Sequence, residues 1–397
     1  MTRGVPDSCP GVLRLHEAAD GPLARVRLPG GRVEPGQLQV LAEAAREVGD
    51  GNIELTSRGN VQLRQVRDAG ELTGRLEAAG LLPSQTHERV RNIVASPLSG
   101  RIGGIADVQP LVPALDAGLL AAPRLAELPG RVLFTLDDGR GNVSVLGGDI
   151  GVHATGSEEF ALLLAGRDTG IRISAADAVD VMLAAAHGFL DLRGGEAGRW
   201  RLHEIDNGAE RVAELLALQR GTDRVELGAA QDVPIGWLDQ DDGLVSLGAG
   251  VRLGSLPART AEFIAAIERP VFVTPWRSLV ITDLAEWAAE QVVRVLAPMD
   301  LIFDANSPWL QVSACAGRPG CAKSLTDVRA DVTAAVESDR VLPSESNQPM
   351  PQGLPIIDAD EVTVAGRQHW SGCDRRCGRP RGTVTDVVAT DTGYRVD

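Results

Sequence analysis

The sequence predicts an internally duplicated α+β protein, and three observations carry that expectation. A strand, helix, strand layout occurs twice, each occurrence is followed by a longer segment of strands and helices, and the two longer segments share a local pattern. The chain has 397 residues, 44% of them hydrophobic, enough for a large core divided among roughly two to four domains.

Residues 20–66 form the first short unit. DGPLARVRLPGGRV alternates as a strand does, Leu38, Leu41, Ala45 and Val48 recur at helical spacing, and NIELTSRGNVQLRQV reads as a strand and turn. Residues 242–284 repeat the layout: DGLVSLGAGVRLGSL, a helix with Phe263, Ile264 and Ile267, then PVFVTPWRSLVITDL, in which Arg277 falls at the place of Arg58. Both units suit a mixed or antiparallel sheet. In the longer segments, RVRNIVASP stands where QVSACAGRPGC stands later. RVLFTLDDG and NVSVLGGDIGV read as strands around Gly and Asp turns, and AADAVDVMLAAAHGFL as a helix. Residues 226–240 are the expected connector. The boundaries that follow are 1–80, 81–225, 226–299 and 300–397.

A formal net charge of -15 opposes nonspecific attraction to nucleic acid or to anionic membranes. No stretch approaches the roughly 18 apolar residues that cross a bilayer, and MTRGVPDSCPGVLRL lacks the apolar core of a signal peptide, so a cytoplasmic location is expected. Lys323 is the only lysine, leaving arginine to bind any anion.

Four of the five cysteines crowd into the last quarter, as C-x5-C at Cys315 and Cys321 and C-x3-C at Cys373 and Cys377. Four thiolates meet the needs of a cubane iron–sulfur cluster, and the glycines and proline of both loops let the backbone curl around it. Structural zinc usually takes more closely spaced pairs, so it is the lesser reading. Cys9 reads as an incidental thiol near a mobile chain end.

The pairing of C-x5-C with H-x-S-G-C-x3-C resembles the cluster motif of the sulfite and nitrite reductase superfamily, and RVRLPGG followed by LTSRGNVQLR resembles the signature of its N-terminal half. The likeness spans nearly the whole chain. It implies two ferredoxin-like half-domains plus two larger α/β domains, the second carrying a 4Fe-4S cluster. The family's tetrapyrrole and anion contacts fall on Arg27, Arg58, Gln62 and Arg91, with Arg64 and Arg131 beside them. Guanidinium forks suit the carboxylate rim of a uroporphyrin-derived macrocycle. In the reductases the last cluster cysteine, here Cys377, also ligates siroheme.

One departure separates this chain from those reductases. Their K-x-K pair, which binds and protonates the oxyanion, corresponds here to Arg131 and Leu133 in LPGRVLFTLDD; arginine gives up its proton poorly and leucine has none to give. Matches and loss together resemble the precorrin-3B synthase branch, which acts on a tetrapyrrole. The resemblance implies an oxygen-dependent hydroxylation of precorrin-3A with γ-lactone closure, an electron donor, and a mononuclear non-heme iron. None of the six histidines, His16, His87, His153, His187, His203 and His369, stands in a defensible facial-triad pattern. HEID at 203–206 reads as a surface helix start. The alternatives are a siroheme sulfite or nitrite reductase and a non-catalytic electron carrier.

Overall fold

The computed structural model describes residues 7–228, 233–343, 357–380 and 382–397. The protein is α+β, with antiparallel and mixed sheets. One five-stranded antiparallel sheet runs in the order His16–Ala18, Gly21–Val26, Val61–Leu63, Asn52–Leu55 and Ser255–Pro257. A second runs Gly236–Asp239, Val245–Val251, Ser278–Leu284, Val271–Val273 and Arg32–Val33, with Leu301–Ile302 also on Val245–Val251. Each sheet therefore takes its last strand from the other repeat.

Sequence dictates this exchange. After its long strand each repeat makes a short turn, Pro29–Gly31 or Arg252–Gly254, which throws the chain across to the partner sheet. Gly31 has φ +75°, and a Cβ there would stand 2.1 Å from the Val273 carbonyl oxygen, so only glycine permits the crossing strand to come this close. The helices Pro35–Val48 and Ala258–Ala265 lie against each other beneath both sheets. Glu34 and Gln37 form a capping box at the start of the first, and Leu38, Leu41, Ala45 and Val48 are buried as their spacing requires. The repeats share a single hydrophobic core. Two expectations need correction. The second helix ends at Ala265, before Ile267, and Phe263 is 41% exposed because it lies off the buried stripe. The expected connector also contains a strand, Gly236–Asp239.

The longer segments build two more sheets on one plan. Ile93–Ala95, Phe134–Asp137 and Ile150–Ala154 pair in parallel and Glu159–Leu164 returns antiparallel, followed by Arg167–Ser174. Val312–Ala314, Gln368–Ser371 and Thr385–Thr390 likewise pair in parallel, and Gly393–Val396 returns. In the first segment NVSVLGGDIGV gives a 3-10 turn, Ser144–Leu146, and only then the strand Ile150–Ala154, because the preceding backbone is drawn onto the Asp137 carboxylate. The helix Ala178–Arg193 covers this sheet. HEID falls on a 3-10 turn, Leu202–Glu204, rather than on the helix Gly208–Leu215.

Candidate functional site

Strand alternation gives the first sheet two unlike faces. Ala24, Val26, Ile53, Leu55, Val61 and Leu63 enter the shared core, which leaves Arg25, Arg27, Glu54, Gln62 and Arg64 on the other face. The second sheet gives its corresponding face Ser246, Gly248, Gly250, Phe272 and Val280. There Phe272 and Val280 are covered by Leu98, with Ile102 and Leu238 beside them. One repeat thus presents a charged face and the other has sealed its own.

Arg27 is buried, donates to the Arg89 carbonyl at 3.3 Å and the Pro10 carbonyl at 3.2 Å, and leaves Nη1 without a partner. Burial, opposed by Cys9 and reinforced by Arg25 and Arg58, draws its pKa down to about 10. Arg58 is brought beside it by the Thr56–Asn60 turn, and no side-chain partner holds it among the described residues. Burial and then Arg201 draw its pKa down to about 10 as well. Crowded, underpartnered cations favour an anionic ligand.

A buried amide pair sets this geometry. Asn60 accepts from Leu28 N and donates to Asn92 Oδ1 at 3.1 Å, and Asn92 donates to the carbonyls of Arg89 and Gly130. The loops carrying Arg27, Arg58, Arg91 and Arg131 are therefore tied at one point. The other expected contacts are differently placed. Gln62 accepts from Arg25 and donates to Glu54. Arg64 grips Asp20 and donates to the Gly320 carbonyl at 3.1 Å, joining the first sheet to a cysteine loop. Arg91 is bidentate to Asp116, 2.7 Å for each bond, so its guanidinium is already neutralised. Arg131 stacks over Trp200 and reaches Asp7 at 3.4 Å.

Three participants were missed from the sequence. Cys9 is buried, not a loose end: its sulfur accepts from Arg25 at 3.2 Å and Arg27 at 3.4 Å. Arg25 was legible, since it shares a strand face with Arg27. Arg201, held by Asp149 and the Gly147 carbonyl, lies far along the chain from Arg58 and left no local signal.

The four remaining cysteines are free thiols on two loops beside one another. Cys315 follows the strand Val312–Ala314 and Cys373 follows Gln368–Ser371, its parallel neighbour. The Gly372 amide donates to Cys315 Sγ at 3.3 Å, and a Cβ on Gly372 would stand 1.7 Å from Ser324 Oγ, so the loops interlock only through that glycine. Burial raises the Cys377 pKa; Arg375 opposes this, and charge on Cys315, Cys373 and Cys321 adds to it, so all four sulfurs share one electrostatic neighbourhood. Among the described residues no three His, Cys, Asp or Glu side chains converge on a single-ion position. The donor set of four thiols, an amide directed at sulfur and the interlocked loops fit an iron–sulfur core.

His369 is buried behind the loops, bonded through Nδ1 to Ser313 Oγ at 2.9 Å and interacting with the Cys377 backbone. Burial, then Arg277, pushes its pKa down to about 4. Arg277 itself needs a corrected alignment. Thr56 and Thr274 cap equivalent turns, receiving the amides of Asn60 and Ser278, so Trp276 corresponds to Arg58 and Arg277 to Gly59.

A fold with this exchange of strands, a guanidinium-lined face and a four-thiol loop pair defines a class. Residues 16–78 match the nitrite/sulfite reductase ferredoxin-like half domain, and over nearly its whole length the chain is similar to proteins of the nitrite/sulfite reductase superfamily. It is 25% identical to the ferredoxin–nitrite reductase of Synechococcus elongatus, over 94% of this chain and 77% of that protein. It is 23% identical to the precorrin-3B synthase of a Sinorhizobium species, over 99% of this chain and 82% of that protein. The solved structure of Mycobacterium tuberculosis NirA shares the fold, with a TM-score of 0.73 and 18% identity over 94% of this chain and 73% of that one.

Proposed function

We propose that this oxidoreductase-family protein acts as a precorrin-3B synthase, hydroxylating precorrin-3A with molecular oxygen and closing the γ-lactone. The observation that carries the reading is what stands at the reductases' lysine pair. Leu133 is 4% exposed, inside a small apolar cluster, and Arg131 lies over Trp200. The one lysine, Lys323, is exposed on the loop after Cys321. The charged face thus has guanidiniums to hold carboxylates and no amine to protonate a small oxyanion.

In this reading Arg27 and Arg58 bind the macrocycle's carboxylates, Arg25 and Gln62 orient them, and the Asn60–Asn92 pair keeps the loops in register. A 4Fe-4S cluster on Cys315, Cys321, Cys373 and Cys377 supplies single electrons when bound, drawn from a separate donor. A mononuclear iron belongs to the same proposal, without assigned ligands. Nucleic acid and membrane have no part in it, and the location proposed is cytoplasmic. Among the described residues no helix is long and apolar enough to cross a membrane.

Incubation of the reduced protein with precorrin-3A and oxygen is the test, with mass spectrometry of the tetrapyrrole. The expected product carries one added oxygen and a lactone. Unchanged precorrin-3A, with bound siroheme and viologen-linked reduction of nitrite or sulfite, would instead establish the siroheme reductase that the Synechococcus relative suggests.

A further inference from the structure

We propose that Arg277 sets the reduction potential of the iron–sulfur cluster, as a fixed cation at the Cys377 end of the cysteine loops; the inference rests on the cluster reading above.

The first observation is conformational. Arg277 has φ +60° at the position where the equivalent turn of the first repeat has Gly59 with φ +64°. Glycine adopts this conformation freely, whereas arginine is strained in it. A strained side chain persists where its surroundings hold it, and such positions concentrate at functional sites.

The second observation is where the side chain goes. Its stem lies against Gly254, where a Cβ would stand 3.0 Å from Cδ, and its Nη2 donates to the Gly378 carbonyl at 3.2 Å, one residue beyond Cys377. These two contacts direct the guanidinium toward the loop that carries Cys377.

The third observation is the missing counter-charge. No carboxylate pairs with Arg277 among the described residues. Glu54, the acid within its electrostatic reach, is bound to Arg329 at 2.6 Å and lies 3.8 Å from Arg64. A partly buried cation without its own anion, bonded to the backbone one residue beyond Cys377, is matched by the negative charge of a four-thiolate cluster. Reduction adds one electron to the cluster and makes or breaks no bond, so a nearby cation favours the reduced form and raises the potential.

The test is a dithionite titration of the full-length, cluster-loaded protein, followed by electron paramagnetic resonance. Two variants are compared with wild type, each checked for equal iron and sulfide. Arg277→Gly removes the charge and also relieves the backbone, so misfolding does not confound it; Arg277→Lys keeps the charge. Arg277→Gly is expected to lower the midpoint by a tenfold change in the reduction equilibrium, about 59 mV for one electron. Arg277→Lys should recover at least half of that. A loaded cluster with an unchanged midpoint in Arg277→Gly overturns this inference alone. Wild-type protein that binds no cluster overturns the cluster reading and this inference together.

Discussion

Arg27 and Arg91 are each the second arginine of an R-V-R run, yet their surroundings assign them different work. Arg27 keeps an unpartnered Nη1 in a crowd of cations, whereas Arg91 is closed off by Asp116. Arg27→Ala should therefore weaken binding of a polycarboxylated tetrapyrrole such as uroporphyrin III roughly 10- to 100-fold, the loss of one charge-assisted contact. Fluorescence titration checks this. Arg91→Ala should leave that affinity within about threefold but lower folding stability by about 2–3 kcal/mol, because it strands the Asp116 carboxylate, 16% exposed. Urea unfolding separates the two. The cysteine pairs could be read from their spacing, and Arg27 only through the likeness of its motif. Cys9 could not, because its meaning depends on the fold bringing Arg25 and Arg27 to its sulfur.

At the scale of elements, two contacts hold the site's walls. Arg101, in the loop after Ile93–Ala95, is bidentate to Asp283 on Ser278–Leu284 and lies over Phe272. The hydrogen bond from Arg101 holds the Asp283 carboxyl below its ordinary range, against burial. A depressed carboxyl stabilises the fold above its unfolded pKa and loses that contribution as pH falls through the folded value. Asp283→Asn should cost about 1 kcal/mol at pH 7, and the difference from wild type should shrink at an acid pH below the ordinary carboxylate range. Urea unfolding at both pH values measures it. Gly31→Ala should be more severe, roughly 3 kcal/mol or more, because its Cβ would meet the Val273 carbonyl and expel the exchanged strand Arg32–Val33. Thermal unfolding reads that loss directly. The helices and long strands were legible because burial follows their period. The two exchanged strands, Arg32–Val33 and Ser255–Pro257, are too short to announce themselves, and their pairing lies wholly between repeats.

Across the whole molecule, duplication has been put to unequal use. The first repeat presents arginines and the second packs its matching face with Phe272 and Val280, so one charged face serves the protein. The later segments share a strand plan, but the described free-thiol loops follow the strands of the second. Arg64 at Gly320 and Arg277 at Gly378 tie the sheets to those loops, one from each repeat. Sequence revealed the repeats and the motif, whereas this cross-bracing arises only when the halves are assembled. The misplaced alignment of Arg277 has the same origin: the five-residue turns match in hydrogen bonding, not in side chains.

A cluster on four thiols beside a face that binds a tetrapyrrole as substrate has a distinctive optical signature. The absorption spectrum of protein purified without oxygen, read with its iron and sulfide content, tests it most directly. The expected result is a broad iron–sulfur shoulder with about four irons and four sulfides per chain from a single cubane, any further iron being mononuclear, and no Soret or chlorin bands. Strong Soret and long-wavelength bands would show resident siroheme and contradict the substrate reading; protein without iron or sulfide would contradict the cluster itself.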